Sequence, residues 1–319
     1  MNKKWIFISI TSGVFIAFML AITLYFLTPV KTKQNLKLPS SNAQEIIIFL
    51  KQKNYSVNFL DRVFLKSLTK PLKGWIYISK KELPRYKFLK EISSYSNHYT
   101  PITIIPGETT HFVLLNLAKK LNMNIDKLKT NYAIMKKYKE GNFLANTYNI
   151  PIYFKEADTI KYLINNSFKS YKKISKKYLN NFDLKVWKKV ITIASILEKE
   201  AANKKEMPII SSVIYNRINK KMRLQMDGTL NYGIYSHTKV THFQIKNDKS
   251  SYNTYKHKGL PKEPVCNVSS TSIIAALMPS KTNYLYFMKS SSKGHNFSTE
   301  YKTHIENIKK RKASLKGEH

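Results

Sequence analysis

The chain has 319 residues and is 43% hydrophobic, enough to bury a sizeable core and too apolar to be disordered along its length. Its 55 lysines and arginines against 19 acidic residues give a formal net charge of +36, which suits an anionic partner such as nucleic acid, phospholipid headgroups or an acidic polymer. Only Arg62, Arg85, Arg217, Arg223 and Arg311 are arginines, so base-edge readout of nucleic acid is disfavoured, and Cys266, the sole cysteine, excludes an intrachain disulfide and a multi-cysteine metal site.

Taken in order, the first element is an uncharged stretch, residues 5–30, WIFISITSGVFIAFMLAITLYFLTPV, long enough at about 1.5 Å per residue to span a bilayer core. It predicts a transmembrane signal anchor behind a short cytoplasmic segment, residues 1–4. A cleaved signal peptide is the rival reading, but the apolar run is too long and no small-x-small cleavage site follows. Lys3 and Lys4 precede the span while Lys31, Lys33 and Lys37 follow it, so charge alone leaves its orientation open.

Residues 31–45 are polar and read as a linker ending in a helix cap, and residues 46–150 as a small α+β subdomain. In that subdomain short β-like runs (GWIYIS, PITIIP) alternate with amphipathic helices such as HFVLLNLAKKLNM. Residues 151–319 are expected to form a catalytic domain. Helical patterns dominate it to Lys221, then comes a Gly/Asn/Tyr-rich loop region to Pro264, a helix at SSTSIIAALM and a strand at NYLYFM. The fold class expected is α+β.

The segment KVWKKVITIASILEKEA, 185–201, carries the most chemistry. On a helical wheel Lys188, Thr192, Ser195 and Lys199 form a narrow polar stripe and nearly all else is apolar. Glu198 and Glu200 sit at opposite edges of that apolar arc, where the ionised form is disfavoured and a carboxyl keeps its proton to higher pH, as a general acid requires. Two positions apart on a helix, they diverge by about 200°, so they cannot face each other across one glycosidic bond as paired glycosidase carboxylates do. The alternative is that both merely end a frayed helix and pair with Lys199, Lys204 or Lys205. Downstream, Gln225, Asp227, Thr229 and Tyr232, beside Gly228 and Gly233, offer donors, acceptors and an aromatic face suited to a sugar polymer, although a polar loop is by itself more often only a loop. SYNTYKHKGLPKEPV and KGHNFSTEYKTH place Tyr, Asn, Thr and His near Gly and Pro turns, which does not by spacing alone make a site. His237 and His242 are five apart, not at the spacing of a zinc helix, and nothing in the residues indicates a metal or organic cofactor.

In sequence, ASILEKEA, SSVIYNRINKKMRLQMDGTLNYG, YNTYKHKGLPKEP and AALMPSKTNYLYFMKSSSKGHNF together resemble the MltG/YceG-like family of endolytic murein transglycosylases from about Lys185 to His304. EGNFLANTYNI and PITIIPGETTHFVLLNLAKKL resemble its preceding segments. The resemblance implies an inner-membrane, single-pass protein with a LysM-like subdomain and a mixed α/β catalytic domain on the periplasmic side, built around a central catalytic helix. Carried over residue by residue, the family's acid/base falls on Glu200, with Glu198 as a supporting carboxylate. Asn216, Arg217, Gln225, Asp227, Thr229 and Tyr232 would build the glycan groove, with Asn253, Thr254 and Tyr255 on a facing loop. Gly228 and Lys262 stand where the family usually has proline, and Asn267-Val268-Ser269 where it has an Asn-Pro-Gly-like turn, so loop shapes there are expected to differ.

The implied reaction cuts the MurNAc–GlcNAc bond within nascent strands and terminates glycan elongation. Glu200 protonates the glycosidic oxygen and then, as carboxylate, takes the proton of the muramic acid 6-hydroxyl, leaving a 1,6-anhydro end without consuming water. The implied partners are peptidoglycan glycan strands, the lipid bilayer and peptidoglycan synthases (penicillin-binding proteins), not nucleic acid. Two alternatives stand beside it: a muramidase that hydrolyses with water, using Asp227 as second carboxylate, and a non-catalytic, membrane-anchored module binding glycan or nucleic acid through its lysines.

Overall fold

A computed structural model describes residues 3–33, 35–68, 73–93, 99–290 and 294–316. It divides into two units, residues 1–100 with 149–154 and residues 101–148 with 155–319.

The first unit begins with helix α1, Lys3–Leu27. It is apolar on every side, and its side chains from Ile10 to Leu20 are exposed, so it has no stripe to bury and is long and apolar enough to cross a membrane. Strand β1 (Pro29–Lys31) follows, then β2 (Asn35–Leu38), helices α2 (Ala43–Gln52) and α3 (Phe59–Ser67), strands β3 (Gly74–Tyr77) and β4 (Glu82–Pro84), and helix α4 (Arg85–Ser93). β1 pairs antiparallel with β4, and β2 with β3. Residues 31–45, expected as a linker, instead contribute β2, whose Leu36 and Leu38 are buried beside Ile46, Leu50, Leu65, Ile76 and Phe88. A strand of four residues, with only Leu36 and Leu38 alternating with Asn35 and Lys37, carries little period-two signal.

Asn58 and Asp61 cap α3 reciprocally. The buried Asp61 carboxylate also accepts from the Tyr25 hydroxyl at 2.7 Å and pairs with Arg85 at 3.2 Å, and the Arg85 guanidinium lies 4.4 Å from the Tyr25 ring centre. The end of α1 is thereby tied to α3 and α4.

The chain passes between the units through strands β5 (Tyr99–Thr103) and β6 (Thr147–Pro151), which form a two-stranded sheet. Between them lie α5 (Thr110–Leu121) and α6 (Ile125–Met135), and after them α7 (Glu156–Leu179), α8 (Leu184–Glu200), α9 (Met207–Asn219), α10 (His242–Asn247) and α11 (Ser270–Leu277). A hairpin of β7 (Tyr286–Lys289) and β8 (His295–Ser298), paired antiparallel, and helix α12 (Tyr301–Lys316) complete the second unit. The units divide after residue 100 and again around residues 149–154, beside the boundary expected at residue 150. Backbone bonds bring 101–148 into the second unit: Gly107 N–H to Asn267 O at 3.0 Å, Asn267 N–H to Glu108 O at 2.9 Å and Ala145 N–H to Val268 O at 2.8 Å.

Helix α8 runs through the core of this unit. Asp183 caps its start by accepting from Val186 N–H at 2.8 Å, and Trp187, Ile191, Ala194 and Leu197 are fully buried among α9, α11 and their neighbours. The polar stripe is covered too: Thr192 and Ser195 are buried, Ser195 Oγ accepts from Val265 N–H at 2.9 Å, and Lys188 pairs with Glu263. The first half of α8 borders a cavity of about 750 Å³ with Tyr215, Ile218 and Leu260, and the C-terminal turn reaches a separate cleft.

Candidate active site

Glu198 and Glu200, on that last turn, go separate ways as the helix geometry requires. Glu198 Oε1 accepts from the N–H of Ser269, the N-cap of α11, at 2.9 Å, so its charge meets the positive end of that helix. Glu200 lines a cleft of about 580 Å³ and accepts from Gly228 N–H at 2.7 Å. Burial pushes the Glu200 carboxyl up to about 7; the Gly228 N–H pulls it down, and the neighbouring Asp227 charge adds to the rise. The carboxyl also sits at the negative end of its own helix, which again favours the protonated form. Among the described residues neither glutamate forms an ion pair with a lysine, so the frayed-end pairing considered for Lys199, Lys204 and Lys205 is absent there.

Gly228 is the second residue of a short 3-10 turn, Asp227–Leu230, that passes close to the end of α8. A Cβ at Gly228 would stand 2.5 Å from Lys199 Cβ and 2.8 Å from Glu200 Oε1. The glycine is therefore required by close approach, and a proline would both collide and remove the N–H that Glu200 uses. The departure noted in the sequence is thus built into the carboxyl's surroundings.

Of the residues expected to hold glycan, Arg217, Gln225, Asp227 and Tyr255 line the same cleft as Glu200. Arg217 donates to three backbone carbonyls, Leu285 O at 2.6 Å, Leu224 O at 2.7 Å and Arg223 O at 3.1 Å, and its guanidinium lies 5.2 Å from the Tyr286 ring centre. Tyr255 donates its hydroxyl to Asp227 Oδ1 at 2.6 Å, and burial with this bond raises the phenol. Gln225 lies in the left-handed region, φ 50°, with its N–H on Thr254 O.

The other expected groove residues do different work. Asn216 donates to Thr282 O and Tyr284 O, at 2.8 and 3.0 Å, holding the chain ahead of β7. Thr229 and Thr254 are buried, 3.1 Å apart at their hydroxyls, and both engage Met226. Tyr232 stacks on Tyr252 and donates to Asp248, while buried Asn253 donates to Ile245 O and Asp248 O. Asn216 supports the segment leading into β7 and the other four the loops that carry Asp227 and Tyr255; none of the five lines the cleft.

The cleft's remaining wall comes from β7, β8 and α12. Tyr286 stacks with His304 at 5.3 Å and meets Tyr301 at 5.7 Å, giving an aromatic face; Lys289 and His295, partners across the hairpin, complete it. His295 is anchored to Glu206, which accepts its backbone N–H at 2.8 Å and its Nδ1 at 2.9 Å. Spacing along the chain did not reveal this wall, because strand pairing and a helix return bring it together.

A part-buried carboxyl at a helix end, with Asp227 held by Tyr255 beside it, inside a cleft with one aromatic and one polar wall, defines the site. The chain belongs to the YceG-like family, whose profile matches residues 39–310. It is 41% identical over 116 residues to the endolytic murein transglycosylase of Bacillus subtilis strain 168, covering 36% of this chain and 32% of that one. It is 30% identical over 165 residues to that of Streptococcus pneumoniae strain D39, covering 49% and 29%. The matches thus span about a third of these relatives' length. In fold it is similar to a yceG-like protein of Listeria monocytogenes, with a TM-score of 0.54 and 24% identity over 86% of this chain and 99% of that one.

Proposed function

We propose that the chain is an endolytic murein transglycosylase that cuts the MurNAc–GlcNAc bond inside glycan strands and leaves 1,6-anhydro ends. The observation that carries the proposal is Glu200: one carboxyl, raised to about 7 by burial, lines a cleft wide enough for a sugar chain. It gives its proton to the glycosidic oxygen. The muramic acid's own 6-hydroxyl, already held near the anomeric carbon, then closes on it while the Glu200 carboxylate takes its proton, so no water is activated. Tyr286, Tyr301 and Tyr255 offer flat faces for sugar rings, and Arg217 keeps the wall bearing Tyr286 in place. The names of the B. subtilis and S. pneumoniae relatives support the same activity.

The apolar α1 supports a single-pass anchor that holds the catalytic unit on the outer face of the inner membrane, where strands and the synthases that extend them are found. In the first unit the order β2–α2–α3–β3, with its two strands antiparallel, supports the LysM-like reading. Size analysis of uncross-linked glycan strands incubated with detergent-solubilised full chain tests the proposal. Endolytic cutting shortens the whole distribution at once. Release of disaccharides with the long strands persisting would contradict it.

A further inference from the structure

Helix α8 carries a second feature, away from its glutamates. Val186, Val190 and Ile193 recur at i, i+4 and i+7 and form an apolar stripe along its first half. With Tyr215 and Ile218 of α9 and with Leu260, that stripe lines the cavity of about 750 Å³, inside the roughly 300–1,000 Å³ range of ligand pockets. The hydroxyls in its wall are already engaged, Thr192 donating to Lys188 O at 2.8 Å and Tyr215 to Ala276 O at 2.9 Å.

The edge of the cavity is cationic. Lys185, Lys188, Lys189 and Lys262 line it, and among the described residues no aspartate or glutamate does. Lys185 and Lys189 each precede a valine of the stripe by one position, so they run along its border. Lys262 comes from the segment after Leu260, at a position where the family usually has proline. Glu263 neutralises Lys188, whereas Lys185, Lys189 and Lys262 are exposed and form no ion pair among the described residues. Three unmatched ammonium groups beside an apolar hollow suit an occupant that is anionic at one end and apolar along the rest.

We propose that this cavity binds a phosphate monoester bearing a single alkyl chain, with the chain against Val186, Val190, Ile193 and Ile218 and the phosphate among Lys185, Lys189 and Lys262. Charge selects the head group. A phosphate monoester carries about −1.5 to −2 charges near pH 7 and three acceptor oxygens, and a fatty carboxylate carries one charge and two oxygens. Lysine holds phosphate as a point charge, without the fork geometry that arginine brings to carboxylates. Size selects the tail, because a cavity of this volume takes a molecule of drug size and so one chain of moderate length. The cavity and the cleft of Glu200 share no lining residue, so binding here is independent of the reaction assigned to Glu200.

Isothermal titration calorimetry of the full-length chain in phosphatidylcholine nanodiscs, with empty nanodiscs subtracted, tests the assignment. Butyl, hexyl and octyl phosphate are the probes, beside inorganic phosphate and 1-octanol. Affinity should rise about fourfold per added methylene, and octyl phosphate should bind more tightly than either inorganic phosphate or 1-octanol. Lys262→Glu and Val186→Glu change exposed side chains and should melt with the wild type. Each should weaken octyl phosphate about tenfold, the first through charge and the second through the apolar wall, and Lys262→Glu should leave 1-octanol unchanged. Octyl phosphate binding no better than inorganic phosphate or 1-octanol, or as well to both variants as to the wild type, would overturn the inference. Alkyl phosphates failing to bind, with sedimentation showing a wild-type dimer that Val186→Glu dissociates, would overturn it in favour of a second copy of this chain.

Discussion

Glu200 is useful for the same reason that it is costly. The folded chain keeps a proton on it up to about 7, whereas an unfolded chain releases that proton near the ordinary carboxyl value of 4.5. Stability from this residue is therefore full below about 4.5 and is lost as pH rises through about 7, a difference on the order of 3 kcal/mol. Glu200→Gln should consequently melt several degrees above wild type at pH 8 and match it near pH 4.5, while turnover falls roughly 100- to 10,000-fold. Differential scanning calorimetry at the two pH values checks the first part. The same protonation sets an alkaline limit: wild-type kcat/KM should decline above about pH 7 as the acid is lost. At Gly228, alanine places a Cβ 2.5 Å from Lys199 Cβ, so Gly228→Ala should cost about 1–3 kcal/mol of stability and slow turnover by displacing the carboxyl. The wheel of residues 185–201 is enough to set Glu198 and Glu200 on opposite sides; it does not identify their partners, because Ser269 and Gly228 arrive from loops distant in the chain.

At the scale of elements, α8 is a buried rod whose position depends on contacts at its end. Glu198 holds the start of α11, so Glu198→Ala should lower stability by about 1–2 kcal/mol, and Glu198→Gln, which still accepts from Ser269, should recover most of it. Thermal melts of the two variants, with product masses unchanged, would separate this role from that of Glu200. In the first unit the Asp61–Arg85 pair is fully desolvated, and Asp61→Ala should cost about 3–5 kcal/mol by leaving Arg85 without its partner and loosening the end of α1. Elements with a strong local pattern were legible: α5 follows HFVLLNLAKKLNM, α11 follows SSTSIIAALM and β3 follows GWIYIS. β2 was hidden because four residues between polar neighbours carry little period-two signal, and the cleft wall of β7, β8 and α12 because pairing across the hairpin is non-local. Asn216, Thr229, Tyr232, Asn253 and Thr254 illustrate a related difficulty. Polar residues that build a loop from inside have the same letters as polar residues that touch a ligand.

For the whole molecule, a net charge of +36 spread mostly over lysines favours anionic surfaces in general. Binding to glycan strands with free peptide carboxylates, or to vesicles of anionic lipid, should weaken steeply between about 50 and about 500 mM salt, while the mass of the products does not change. The charge therefore concerns encounter, and the cleft concerns chemistry. Membership of the YceG-like family was legible from about Lys185 to His304 and in two segments upstream, and the family model extends the match to residues 39–310; the anchor-like α1 was legible too, since each rests on local pattern, whereas the backbone bonds that join residues 107, 108 and 145 to 267 and 268 are non-local.

The central claim is that one carboxyl, Glu200, drives an intramolecular cut. Mass spectrometry of uncross-linked strands after incubation with full-length wild type and with Glu200→Gln tests it most directly. The account predicts new ends one water lighter than a hydrolytic fragment with the wild type, and none with the variant. Ends of ordinary reducing mass, or light ends that persist in Glu200→Gln, would contradict it.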